Sequence, residues 1–185
     1  MPRFSGRGFT LTELLIAIII LGVTAAVVIP NFNYHNVKKL DVAANEVAYA
    51  LRFARSEAIR TGSIHGIQIS QTNQRVVAYK ANMATDPVSM EFILTDPVSK
   101  KLLDFDFDNK SSTLGTKISN SLDPFDYAGL GRVNNLLFDG TGTPIWVVSS
   151  SNTTYLLTDG MVQLDFAGKQ RVVTVAPHTA RITIE

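Results

Sequence analysis

The chain has 185 residues, enough for one domain with an appendage rather than for two enzyme-sized domains. Hydrophobic residues make up 45% and charged residues 18%, so the chain is too apolar for a disordered protein and carries less charge than the roughly 25% of an average soluble domain. A formal charge of +1 argues against a basic nucleic-acid binder, and the absence of cysteine excludes disulfides, thiolate metal centres, iron–sulfur clusters and cysteine nucleophiles.

The apolar residues are concentrated near the start. Residues 14–37 contain no Asp, Glu, Lys or Arg, and residues 14–29 are strongly apolar. With residues 30–34 appended, the run reaches the roughly 20 residues that cross a bilayer core as a helix. The short leader before it carries Arg3 and Arg7, which would hold that end on the cytoplasmic face and send the bulk of the chain across. The alternative is a cleaved secretory signal, for which Thr24-Ala25-Ala26 offers a faint cleavage pattern inside the apolar run.

The order Gly8-Phe9-Thr10-Leu11-Thr12-Glu13-Leu14-Leu15 resembles the prepilin cleavage and methylation motif of type IV pilins and type II secretion pseudopilins. The resemblance implies a prepilin peptidase cut between Gly8 and Phe9, with Phe9 then N-methylated. Glu13 becomes the fifth residue of the mature chain, where the family's glutamate pairs with the N-terminal amine of a neighbouring subunit. Physical chemistry agrees that the residue matters, because a carboxylate in a membrane helix is expensive unless paired. The competing reading is a hydrated side chain at headgroup level.

Further on, Ala43-Ala44-Asn45-Glu46 and the stretch from Leu51-Arg52-Phe53-Ala54-Arg55-Ser56 to Glu57-Ala58-Ile59-Arg60-Thr61-Gly62 resemble the helix end of the GspH/FimT family of minor pseudopilins and minor pilins. Leu137-Phe138-Asp139-Gly140-Thr141-Gly142-Thr143-Pro144 resembles that family's late turn. The implied fold is α+β and pilin-like: a long N-terminal helix, transmembrane in its first half, followed by an antiparallel sheet. The implied division is a leader at 1–8, a transmembrane and assembly helix at 9–36, and a periplasmic domain at 37–185. The implied role is a non-enzymatic subunit in the bacterial inner membrane that joins a pseudopilus, with other pilins or pseudopilins as partners. A type IV minor pilin is the alternative, and a membrane-tethered enzyme or binding protein the third reading.

Within the helical region, Pro30 removes a backbone donor and is expected to kink or locally melt the helix. Beyond it, Val37, Leu40, Ala44, Val47, Leu51, Ala54 and Ala58 recur at helical spacing and define one apolar stripe. The other faces carry charge, including Lys39, Asp41, Glu46, Arg52, Arg55 and Arg60. A coiled coil would read the same way, but strands follow at once, so packing on a sheet of the same chain is expected. Gly62 suits a left-handed helix cap.

The rest reads as short strands around turns. Residues 64–69 and 76–79 form one expected hairpin, and residues 92–94 and 102–103 flank Thr95-Asp96-Pro97. Residues 136–138 and 145–148 flank the Asp139-Gly140-Thr141-Gly142 turn. Residues 155–157 and 162–166 flank Asp159-Gly160, read as a tight turn, and residues 172–175 and 182–184 flank Pro177. Residues 108–132 are expected to be a long loop with one strand at most.

Few candidates for chemistry appear. Asp104, Asp106 and Asp108 alternate like the start of a calcium loop, but Asn109 and Gly115 stand where that loop needs glycine and a bidentate acid. A strand with Phe105 and Phe107 inward explains the alternation better. His35, His65 and His178 lack metal-ligand spacing, and no hydrolase or nucleotide-binding signature occurs. No metal, cofactor or catalytic residue is therefore expected. DNA is an unlikely partner: setting aside Arg3, Arg7 and Glu13 leaves equal numbers of basic and acidic residues, and only Arg181 is basic after Pro177.

Overall fold

The computed structural model describes residues 9–151 and 153–185, with the backbone alone over 26–36. The chain forms two compact units, Met1–Asn36 and Val37–Glu185. One helix, α1 (Leu11–Thr61), is assigned without a break and contributes to both. The helical assignment runs without a break through position 30, where the missing proline N–H was expected to kink or locally melt the helix.

In the first unit, the described part of α1 exposes apolar side chains on every side. Leu14, Leu15, Ile16, Ile18, Ile19 and Ile20 are each more than half exposed. A helix that is apolar all round has no water-facing stripe. Thr24 turns its hydroxyl back onto the carbonyls of Ile20 (2.9 Å) and Leu21 (3.0 Å), so it presents no unpaired donor. Among the described residues no helix is long and apolar enough to cross a membrane. The apolar run of residues 14–29 extends past Ala25 into residues whose side chains lie outside that set.

In the second unit, the helical stripe is buried as its spacing predicts. Leu40, Ala44, Val47, Leu51, Ala54 and Ala58 are fully inaccessible. Ala43, Ala48 and Ala50 widen the stripe, and their small side chains let strands approach the helix axis closely. Gly62 closes the helix at φ 66°.

The helix packs on an antiparallel sheet. Its strands are β1 (His65–Ser70), β2 (Arg75–Asn82), β3 (Ser89–Ile93), β4 (Asp104–Asp106), β5 (Lys117–Ile118), β6 (Phe125–Tyr127), β7 (Gly131–Val133), β8 (Asn135–Phe138), β9 (Pro144–Val148), β10 (Thr153–Phe166), β11 (Lys169–Val175) and β12 (Ile182–Ile184). The main path runs β12-β11-β10-β9-β8-β1-β2-β3. The fold is α+β and pilin-like, with its core between the helical stripe and Ile67, Val76, Leu136 and Phe138.

Two expectations need correction. Asp159-Gly160 is no turn; both residues lie inside the long strand β10, where pairing with β6 shifts register between Leu157 and Asp159. Gly160 is there for space, since a Cβ would come within 3.2 Å of Val175. The reversal comes at Ala167 (φ 51°) and Gly168 (φ 75°), two successive positive φ angles as in a type I′ hairpin. The stretch 108–132 is likewise more ordered than a loop: it holds β5, β6 and the start of β7, and buries Thr113, Thr116 and Asn120. Its strands are too short to show a period.

Removal of residues 1–36 is expected to leave a soluble, folded monomer, because the core lies within Val37–Glu185. In that fragment Leu51→Asp should abolish the cooperative thermal transition seen by circular dichroism, since an unpaired buried carboxylate costs several kcal/mol. An unchanged melting temperature would contradict the packing described.

Candidate assembly site

Glu13 stands in the first turn of α1, and the structure gives it a local partner. Thr10 caps the helix: its hydroxyl oxygen accepts from the Glu13 amide at 3.3 Å. Glu13 reaches back, and its Oε2 accepts from the Thr10 amide at 3.1 Å and the Thr10 hydroxyl at 3.0 Å. This is a capping box, in which two helix-end donors are satisfied reciprocally. The Thr10-Leu11-Thr12-Glu13 spacing carries that signal, which the reading of Glu13 as an intersubunit group alone overlooked. The box holds the carboxylate one residue from Phe9, which is itself exposed. Gly8 lies outside the described residues.

In the Val37–Glu185 unit, the motif residues of the helix end meet the late turn. Arg55 donates from Nε to the Gly142 carbonyl (3.1 Å) and from Nη1 to the Ala180 carbonyl (3.4 Å). Arg52 donates to the Ile182 carbonyl at 3.1 Å. These arginines, part of the charged faces in the sequence, tie the helix to two loops distant in sequence. The turn fits tightly, for a Cβ on Gly140 would lie 3.1 Å from Gly62, and one on Gly142 (φ 81°) 2.7 Å from Ile59. Asp139 organises it by accepting from the Thr141 amide (2.8 Å), the Thr141 hydroxyl (2.6 Å) and the Thr143 amide (2.9 Å). Burial works to raise the Asp139 pKa, but these donors outweigh it and hold the carboxyl below its ordinary value.

The remaining candidates are tied into the fold separately. Asp104 pairs with Arg75, whose Nε donates at 2.6 Å, while Asp106 accepts from the amides of Asp108 and Asn109, and Asp108 pairs with Lys117. Phe105 is half-buried in β4 and Phe107 is fully buried, but the strand ends at Asp106, so Phe107 and Asp108 belong to the turn that Asp106 caps rather than to the strand expected over 104–108. Among the described residues no group of three or more acidic or histidine side chains could hold a metal ion. His65 is buried, with Nδ1 donating to the Ser63 carbonyl at 3.0 Å; His178 is exposed, and the side chain of His35 lies outside the described residues. On the helix flank Tyr49 donates to Asp96 at 2.6 Å. That bond pushes the Tyr49 hydroxyl up to about 12 and draws the Asp96 carboxyl down.

A long helix packed on an antiparallel sheet by a buried alanine-rich stripe, with a capped glutamate at its start, defines a pilin-like protein. Residues 3–29 match the family model for the prokaryotic N-terminal methylation motif. Residues 43–179 match that for the type II transport protein GspH, and the chain belongs to that family. The fold is similar to that of the minor pseudopilin EpsH from the type 2 secretion system of Vibrio cholerae, with TM-score 0.51, 14% identity, and coverage of 80% of this chain and 96% of that one. It is also similar to the type IV minor pilin FimU of Pseudomonas aeruginosa, with TM-score 0.50, 18% identity, and coverage of 82% and 92%. No curated relative matches the chain by sequence.

Asp139→Asn should destabilise the Val37–Glu185 unit by about 1–3 kcal/mol in urea titration, because the charged acceptor of the turn is lost. The lowered carboxyl pKa fixes the sign of the pH dependence. Its stabilisation is complete above the ordinary aspartate range and is lost as pH falls through the depressed value, so the gap between wild type and variant should close in acid.

Proposed function

We propose that this chain is a structural minor pseudopilin of a type II secretion system, incorporated near the tip of the pseudopilus, with no catalytic activity of its own. The observation that carries the reading is the presence of an N-terminal methylation motif and a GspH domain in one chain. In this reading prepilin peptidase removes residues 1–8 by cutting between Gly8 and Phe9, and Phe9 is methylated. Residues 9–36 anchor the subunit in the inner membrane and pack against other pseudopilins, with Pro30 loosening the helix during assembly. Residues 37–185 lie in the periplasm. A type IV minor pilin is the second reading, favoured by the similarity to FimU.

The capping box sharpens the role of Glu13. The box satisfies helix-end donors, whereas assembly uses the charge, and the two can be separated. Glutamine at this position keeps a capping box but removes the charge. Leucine removes the charge and the carboxylate half of the box, and relieves an insertion cost of up to about 2.5–3.5 kcal/mol.

Mass spectrometry of membrane-extracted protein should show a mature chain beginning at Phe9 with one added methyl group. An intact N-terminus in cells with active prepilin peptidase would contradict the processing step. Glu13→Gln and Glu13→Leu should both be cleaved and inserted normally, yet both should lose cross-linking to other pilin-like subunits and lose secretion. Retained function in Glu13→Gln would show that the cap, not the charge, is what assembly needs. Loss of piliation with secretion intact would assign the chain to a pilus instead.

A further inference from the structure

The outer side of β2 is shared by two short strands. β3 pairs with β2 over Tyr79–Asn82, and β4 pairs with it over Arg75–Val77. The two meet at Ala78. There the Leu94 amide donates to the Ala78 carbonyl at 2.8 Å, and the Ala78 amide donates to the Leu103 carbonyl at 2.9 Å. Leu94 and Leu103 thus supply together the one donor and one acceptor that a single strand residue would give. Both are buried, and the Leu103 amide closes on the Leu94 carbonyl at 2.8 Å. Residues 95–102 leave the sheet edge at this point and return to it, an excursion that the strand pairing does not need.

The excursion repeats a sequence already used. Thr85-Asp86-Pro87-Val88-Ser89 recurs ten residues later as Thr95-Asp96-Pro97-Val98-Ser99. The two copies are placed in opposite ways. Val88 is 9% exposed and packs with Tyr79, Leu137 and Ile145 on the sheet, whereas Val98 is 89% exposed. That exposure is held in place. Asp96 accepts from the amides of Val98 (2.7 Å) and Ser99 (2.8 Å), and from the Tyr49 hydroxyl (2.6 Å), which ties the excursion to α1. The Lys100 amide donates to the Asp96 carbonyl at 2.9 Å, and Lys100 takes φ 57°, a left-handed angle that is costly for a lysine. An apolar side chain gains nothing from water, and a fixed loop gives up the freedom to turn it away. Both losses are offset only when something covers the tip in the form in which it is held.

We propose that the 95–102 excursion is the docking element for another pilin-like subunit, which takes Val98 into an apolar socket with a carboxylate at its rim. Two features select that partner. The excursion carries Lys100 and Lys101 against the single acid Asp96, whose carboxylate is bonded to Tyr49 and to amides. Glu46 and Asp104 nearby are already paired with Lys110 and Arg75, so the surplus of positive charge stands and disfavours a basic rim. The Asp96–Tyr49 tie also fixes the tip on α1, the element through which subunits pack in the reading above. A tip so held has a set place beside a neighbouring subunit, and none beside a freely diffusing protein. The proposal rests on the assembly reading.

The test uses the full chain in cells that express the complete set of pilin-like subunits. A photo-cross-linking residue is placed at Val98 and, as a reference, at Leu15 in the N-terminal helix. The attached peptides are then identified by mass spectrometry. Val98 should attach to one site on one other pilin-like subunit, with an acidic residue beside it. Tyr49→Phe keeps the ring against Phe53 and removes the tie; it should lower the Val98 yield about threefold, the effect of one hydrogen bond, and leave Leu15 unchanged. Val98 is almost wholly exposed, so Val98→Asp should leave the thermal transition of the detergent-extracted chain unchanged while incorporation falls. Cross-links at Leu15 with none at Val98, or full incorporation of Val98→Asp, would overturn the docking element and leave the assembly reading standing. So would attachment of Val98 to lipid, to a secreted protein or to a second copy of this chain. Loss of cross-links at both positions would bring down both.

Discussion

The structure depends on how closely a helix can approach a sheet. Six alanines on the buried side of α1, at positions 43, 44, 48, 50, 54 and 58, keep that face flat and let the strands approach it. Larger residues at Leu40, Val47 and Leu51 fill the remaining space. The close approach brings the helix's own arginines within reach of loop carbonyls, so Arg52 and Arg55 bind Ile182, Gly142 and Ala180. The same closeness admits only small residues where Gly140 meets Gly62 and where Gly142 meets Ile59. Helix, late turn and C-terminal strand are thus held by one contact surface, and the two family-like stretches are its two sides.

The helix satisfies its polar groups in different ways along its length. The described part of the first unit satisfies its polar groups internally, through the Thr10–Glu13 box at its start and the Thr24 hydroxyl turned onto the backbone. In the second unit the polar groups are instead paired across the fold: Asp41 with Arg171, Glu46 with Lys110, and Lys39 with the Leu114 carbonyl at 3.3 Å. The first part closes its hydrogen bonds on itself, while the part beside the polar sheet rim shares them.

Much of this was legible in the residues. The stripe from Leu40 to Ala58 has a strong period, and the hairpins around Asp139 and Pro177 have both turn residues and flanking apolar runs, whereas around Asp96 only the single bridge Thr95–Leu102 forms and the flanking strands pair with β2 instead. The misreadings have local causes. Asp159-Gly160 carries the chemistry of a turn, yet Gly160 answers to the nearness of Val175, a contact distant enough in sequence to leave no local mark. Strands β5, β6 and β7 have two or three residues each and are held by β10 and by one another rather than by propensity. The arginine ties were hidden because a guanidinium on a stem reads as a water-facing residue whether it meets water or a carbonyl. The capping box is plain in the Thr10–Glu13 spacing, but the same glutamate also carries the charge that the family resemblance singles out.

The order of strands also sets a timetable. β1 lies between β2 and β8, and His65 is opposite Phe138 across the β1–β8 pair. β2 follows β1 at once, but β8 arrives only after the whole stretch that contains β3 to β7. Closing that distance is an entropic cost met before any contact rewards it, which slows folding. As the chain emerges from the N-terminal end, the alanine face of the helix is complete long before Leu136 and Phe138 exist to cover it. For that interval the nascent subunit shows its stickiest surface, and whatever shelters it then determines how much of it survives to fold.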